Sequence, residues 1–199
     1  MTRVIEMCNS LSKLFAWAGG AVLLCSAALI SLDVVFRALF KATIFESFEL
    51  STYAFAIATA FGLAFALSTK AHIRIEVVYN ALPLRLRAWL DVMSYAVLSL
   101  AAGVLLYWCA VTVFANAQAG ARSNSALSVP LAIPQGLWLA GLAWFALVAL
   151  IGTLAGVWTL LRKGPHAASS MLGVASLQEE IEANAPDLPT PAAGMERAA

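Results

Sequence analysis

Charged residues come in blocks along this chain. Residues 14–32, 50–69, 92–121 and 123–161 contain no Asp, Glu, Lys or Arg, and nearly every ionisable side chain lies between or beyond them. A helix needs about 20 predominantly apolar residues to cross the hydrocarbon core of a bilayer. A soluble helix of that length carries a polar stripe every 3.6 residues, and none of the four stretches has one. The pattern predicts an all-α integral membrane protein with four transmembrane helices, at roughly residues 13–36, 49–69, 89–116 and 135–161.

The connections differ in character. Residues 70–90 read KAHIRIEVVYNALPLRLRAWL. Ile75, Val78 and Leu82 share one helical face, and Arg74 and Glu76 lie off it, which predicts an interfacial amphipathic helix between helices 2 and 3. A strand over 73–77 is the other reading, but it would leave its edges unpaired near lipid. Pro83 suits the restart of a helix, and Arg85 and Arg87 can snorkel to the headgroups. Residues 117–134 hold Arg122, serines and prolines and read as a loop. After Gly164 and Pro165 the composition turns polar, with Glu179, Glu180, Glu182 and Asp187 followed by Pro189 and Pro191. A transmembrane domain over 1–163 and a largely disordered cytoplasmic tail over 164–199, with room for a short helix at 171–184, are therefore expected.

Composition narrows the function classes. The 199 residues are 62% hydrophobic, with a mean hydropathy of +0.85. Four spans leave room for one membrane domain and no soluble catalytic domain. A net charge of +1 gives no reason to expect nucleic acid. Cys8, Cys25 and Cys109 are scattered, form no CxxC and read as small apolar fillers. The N-terminal segment has a basic start, but its apolar stretch is longer than the 7–15 residues usual for a signal peptide, so it is expected to stay as a span.

Orientation follows from the basic residues. Placing both termini on one side puts Arg3, Lys13, Lys70, Arg74, Arg85, Arg87, Arg162, Lys163 and Arg197 there, nine of the 12 Lys and Arg, against Arg37, Lys41 and Arg122 opposite. The positive-inside rule then makes both termini cytoplasmic. Trp17, Trp89 and Trp158 fall near that interface and Trp138 near the other, as an aromatic belt would have them.

The chemistry is defined by an absence. A charge at mid-bilayer costs about 2.5–3.5 kcal/mol on insertion scales and persists mainly for function. These spans hold none, and none has a proline at mid-depth. Proton relays and coupling-ion sites need buried carboxylates or broken helices, so a self-sufficient pump or carrier is not expected. Haem needs axial ligands inside the helices, yet the two histidines, His72 and His166, lie outside them. No acidic or histidine cluster suggests a metal. No enzyme, cofactor or metal is expected.

The remaining candidates concern packing and anchoring. Ala54, Ala58, Gly62 and Ala66 recur every four residues, and Gly152 with Gly156 forms a GxxxG. Small residues let membrane helices approach closely, within the chain or against a partner. Asp33 and Arg37 stand one turn apart and can pair. Arg37 and Glu49 end and begin consecutive spans; an ion pair between them and two independent snorkelling groups are both compatible with the sequence.

Three segments carry a resemblance. Asp33-Val34-Val35-Phe36-Arg37 followed by Ser47-Phe48-Glu49-Leu50, then residues 61–67 with His72-Ile73-Arg74-Ile75 and Leu82-Pro83-Leu84-Arg85-Leu86-Arg87, then residues 127–134, together resemble the small four-helix membrane subunit of tripartite ATP-independent periplasmic (TRAP) transporters, the DctQ-like family. The likeness covers about residues 10–162. It implies a scaffold subunit in a bacterial inner membrane. Its partners would be a large permease that imports an organic acid by sodium symport, a periplasmic solute-binding protein, and membrane lipids. On that reading Arg37, Glu49, Gly62, His72, Arg74, Arg85, Arg87, Gly152 and Gly156 are partner-interface or membrane-anchoring candidates. Lys41 and Arg122 are candidates for docking the binding protein. The rival readings are a self-contained small membrane carrier and the membrane anchor of a redox enzyme.

Overall fold

The computed structural model describes residues 2–41, 46–69, 82–125 and 127–172. Five helices occupy nearly all of them: α1 (Thr2–Phe40), α2 (Ser47–Ser68), α3 (Leu84–Gln118), α4 (Ala132–Lys163) and α5 (Pro165–Leu172). The protein is all-α, and its first four helices are each long and apolar enough to cross a membrane. His72, Arg74, the interfacial helix expected before Leu82, the alternative strand at 73–77 and the tail beyond Leu172 lie outside the described residues.

The helices stand in a row rather than a closed square. α1 packs on α2, α2 on α4, and α4 on α3, with α1 and α3 at the two ends. α2 and α4 are therefore two-sided. α2 turns Ala54 and Ala58 one way and Ala60, Ala64 and Leu67 another, with Ala58 against Gly19 of α1 and Ala60 against Gly141 of α4.

The seams repeat every seven residues. Ser12, Gly19, Ser26 and Asp33 are buried on α1; Ala88, Tyr95, Ala102 and Cys109 on α3; Pro134, Gly141, Val148 and Ala155 on α4. A seven-residue repeat keeps one stripe facing a neighbour, as in left-handed coiled packing. Most stripe members are small, and they bring backbones together where lipid supplies no hydrophobic drive. A Cβ added at Gly141 would lie 2.8 Å from the Ala60 Cβ and 3.1 Å from the Phe61 nitrogen. One added at Gly19 would lie 3.1 Å from the Ala58 Cα.

α1 and α3 are longer than their uncharged stretches. At 1.5 Å per residue α1 spans about 58 Å and α3 about 52 Å, against a hydrocarbon core of about 30 Å. The first turns of α1 continue N-terminal to Lys13 because they have a protein surface to meet. Cys8 joins Leu67, Tyr95, Val148 and Leu172 in the main core.

The chain is also ordered past Lys163. Gly164 takes φ +86°, a conformation that costs a side-chain-bearing residue, and Pro165 opens α5 with its ring suited to a first turn. α5 folds back on α3 and α4, burying Ala168 and Leu172. The glycine and proline that mark a change of composition are thus a stop and restart between two packed helices.

Candidate functional site

One end of the bundle, where α1 leads into α2 and α3 into α4, holds a polar network. Glu49 begins α2 and accepts hydrogen bonds from Tyr53 Oη at 2.6 Å on Oε1 and from Ser125 Oγ on Oε2. Ser125 lies 2.9 Å from Ser123 Oγ. The intervening loop is a compact hairpin. Arg122 and Pro130 form an isolated bridge, Ser123 N–H donates to Val129 O at 2.9 Å, and Leu131 N–H donates to Ala121 O at 3.0 Å. Asn116 Nδ2 donates to Gln135 Oε1 at 3.0 Å and ties the helix ends beneath it. Both Glu49 oxygens are committed to protein donors, so this carboxylate positions a loop.

Arg37 and Glu49 do not pair. Arg37 instead meets Asp33 at 3.7 Å along its own helix, its side chain 57% exposed against 2% for Asp33. Ser47 Oγ donates to the same Asp33 oxygen at 2.9 Å, and Asp33 Oδ1 has no hydrogen-bond partner. The Asp33–Arg37 pair was legible from its i,i+4 spacing. The link from Glu49 to Ser125 was not, because 76 residues separate them.

Lys41 is exposed at the end of α1, with φ +52°. Arg122 is exposed on the hairpin and donates from Nη1 to Ser128 O at 3.1 Å. Both basic groups therefore stand at this same end of the bundle.

At the opposite end of the bundle the candidates separate. Arg87 is half-buried, and its Nε donates to Leu82 O at 2.8 Å. Arg85 is exposed. Gly152 and Gly156 face this chain's own side chains: the Tyr95 ring lies 2.9 Å from a Cβ at 152, and Leu172 fills the space at 156. Gly62 has nothing within 4 Å of its Cβ position. Sequence reasoning missed Gly19 and Gly141, whose only signal is their place in the seven-residue stripes.

Among the described residues no three His, Cys, Asp or Glu side chains gather as a metal site. A partly enclosed cavity of about 110 Å³ lies among α1, α2, α3, α4 and α5, lined by Cys8, Leu67, Tyr95, Val148 and Leu172 with Asn9 and Ser68. Among the described residues no charged group lines it. An open groove runs between α3 and α4 with a floor of Ala96, Ser99 and Gly103 and a wall of Tyr107 and Trp108. At most 28% of the most apolar stretch of any span is buried within the chain, so most of that surface faces lipid or other proteins.

These features define a multi-pass helical membrane protein with much exposed apolar surface. The family profile described as "Tripartite ATP-independent periplasmic transporters, DctQ component" matches residues 26–160. The chain belongs to that family, the small permease component of TRAP transporters, which is a transporter family and not an enzyme family. The match leaves out the first half of α1 and all of α5. No curated protein and no solved structure matches the chain.

Proposed function

We propose that this chain is the scaffold subunit of a sodium-coupled importer of an organic acid. It would lie in a bacterial inner membrane with both termini cytoplasmic, beside a large permease and a periplasmic solute-binding protein. The observation that carries the reading is the row of four apolar helices, mostly unburied by the chain itself, in a member of this family. Ions and solute would be handled by the large permease, since among the described residues of this chain no His, Cys, Asp or Glu side chains cluster as an ion site.

The α3–α4 groove is the seat assigned to a helix of the large permease. Its floor is small, and Gly103 has nothing within 4 Å of its Cβ position, so a second backbone can come close there. Lys41 and Arg122 stand ready at the outer end for an acidic surface of the binding protein. The cytoplasmic tail and the anchoring roles of His72 and Arg74 belong to the same reading.

Reconstitution tests it. Proteoliposomes with the large permease, binding protein and this chain should take up solute only with a sodium gradient. Omitting this chain should abolish uptake, and Gly103→Leu should prevent co-purification with the permease. Full uptake without this chain, or uptake by this chain alone, overturns the proposal.

A further inference from the structure

A second surface lies at the inner end, away from the α3–α4 groove. The start of α3 and the start of α5 enclose an open groove of about 740 Å³ lined by Arg85, Leu86, Trp89, Pro165 and His166. Among the described residues no acidic side chain lines it. Arg85 and Arg87 are two residues apart and so point about 200° apart around the helix. Arg87 is turned to the backbone at Leu82, which leaves Arg85 exposed in the groove. The last turn of α4 adds Arg162 and Lys163, both exposed and within three residues of Pro165. Arg162 lies 4.7 Å over the Trp158 ring.

We propose that this groove binds the headgroup of an anionic phospholipid. A guanidinium fork matches a phosphodiester bidentately, and basic pockets between helices at a membrane surface take such headgroups. Trp89 and Trp158, 57% and 51% exposed, have the amphipathic rings found at headgroup level. An acyl chain distinguishes a lipid from free phosphate, and the surface provides for one. Leu86, Leu90 and Met93 are exposed along α3 from the groove toward mid-membrane. The site stands on this chain's residues and is independent of the transporter reading.

The test uses the full chain in detergent with equal amounts of phosphatidylglycerol and phosphatidylcholine of identical acyl chains, and measures co-purifying lipid by mass spectrometry. Phosphatidylglycerol should be enriched at least about fivefold, the worth of one basic side chain near a charged headgroup. The doubly substituted Arg85→Ala/His166→Ala chain should lose the enrichment, and Arg37→Ala at the opposite end should keep it. All three proteins should elute identically on size exclusion. Retention of both lipids in their bulk ratio, or undiminished enrichment in the double variant, overturns the proposal. Displacement of the lipid by inorganic phosphate at equal concentration would assign the site to free phosphate and also overturn it. Because no permease is present, failure here leaves the scaffold reading untouched, and failure to co-purify with a permease leaves this one untouched.

Discussion

The indole N–H of Trp144 donates to Ser12 Oγ at 3.0 Å and joins the fourth helix to the first across 132 residues. Both of those helices pack on α2, so the bond closes α1 directly onto α4 beside it. Phe15 reinforces the closure, its ring 5.0 Å from Phe61 and 5.5 Å edge-on from Trp144. Ser12→Ala leaves the indole without its acceptor in an apolar setting. The expected loss is about 0.5–2 kcal/mol of folding stability, read from the midpoint of unfolding as SDS replaces a mild detergent.

Two glycines that look alike in the sequence should behave differently. Gly141→Ala pushes a methyl to 2.8 Å from Ala60 and toward the α2 backbone, and overpacking of that kind costs about 1–3 kcal/mol. Gly62→Ala meets nothing within 4 Å, so its unfolding midpoint should stay at the wild-type value. Equal shifts would show that α2 and α4 are not in this close contact.

Glu49 is expected to hold the outer hairpin through Ser125. Glu49→Ala and Ser125→Ala should each speed amide exchange across residues 121–131, reported by hydrogen–deuterium exchange mass spectrometry. Since one bond is broken from either side, the double variant should exchange little faster than the singles. Additive acceleration would mean that the two residues act separately.

Arg122 gives the same hairpin its outward charge. In the three-component system, Arg122→Glu should slow uptake several-fold at low salt. The difference should shrink as the Debye length falls to about 8 Å at physiological ionic strength, as expected for steering between charged surfaces. Hairpin integrity is checked by the same exchange measurement. Uptake unaltered at low salt removes Arg122 from the docking surface.

Asp33 is buried with one oxygen bonded to Ser47 and the other bare. Burying an amide costs less than burying a carboxylate with a vacant lone pair. Asp33→Asn should therefore leave the unfolding midpoint equal to or above wild type, whereas Asp33→Leu should lower it by leaving the buried Ser47 hydroxyl without its acceptor. A lower midpoint for the Asn variant would show that the charge itself is needed.

How much was legible in the sequence follows from what lipid asks of a chain. Uncharged length announces a span, so the four helices and the absence of a central charge were readable, as was the Asp33–Arg37 pair from its spacing. The family was readable from its short motifs. Hydrophobicity cannot tell a lipid-facing side chain from one facing a neighbouring helix, because both are apolar. The row order α1–α2–α4–α3, the stripes through Gly19 and Gly141, and the return of α5 onto the core therefore stayed hidden.

The sequence by itself determined that this protein lives in a membrane as four helices, because the cost of placing charge in hydrocarbon is local and is read residue by residue; its short motifs carried the resemblance to a transporter family. Only the tertiary structure decided which glycines bring helices together, that Arg37 turns to Asp33 while Glu49 reaches Ser125, and that Arg85 faces a groove while Arg87 does not. Those choices depend on which distant residues come within bonding distance, and that is a property of the packed helices rather than of any one segment.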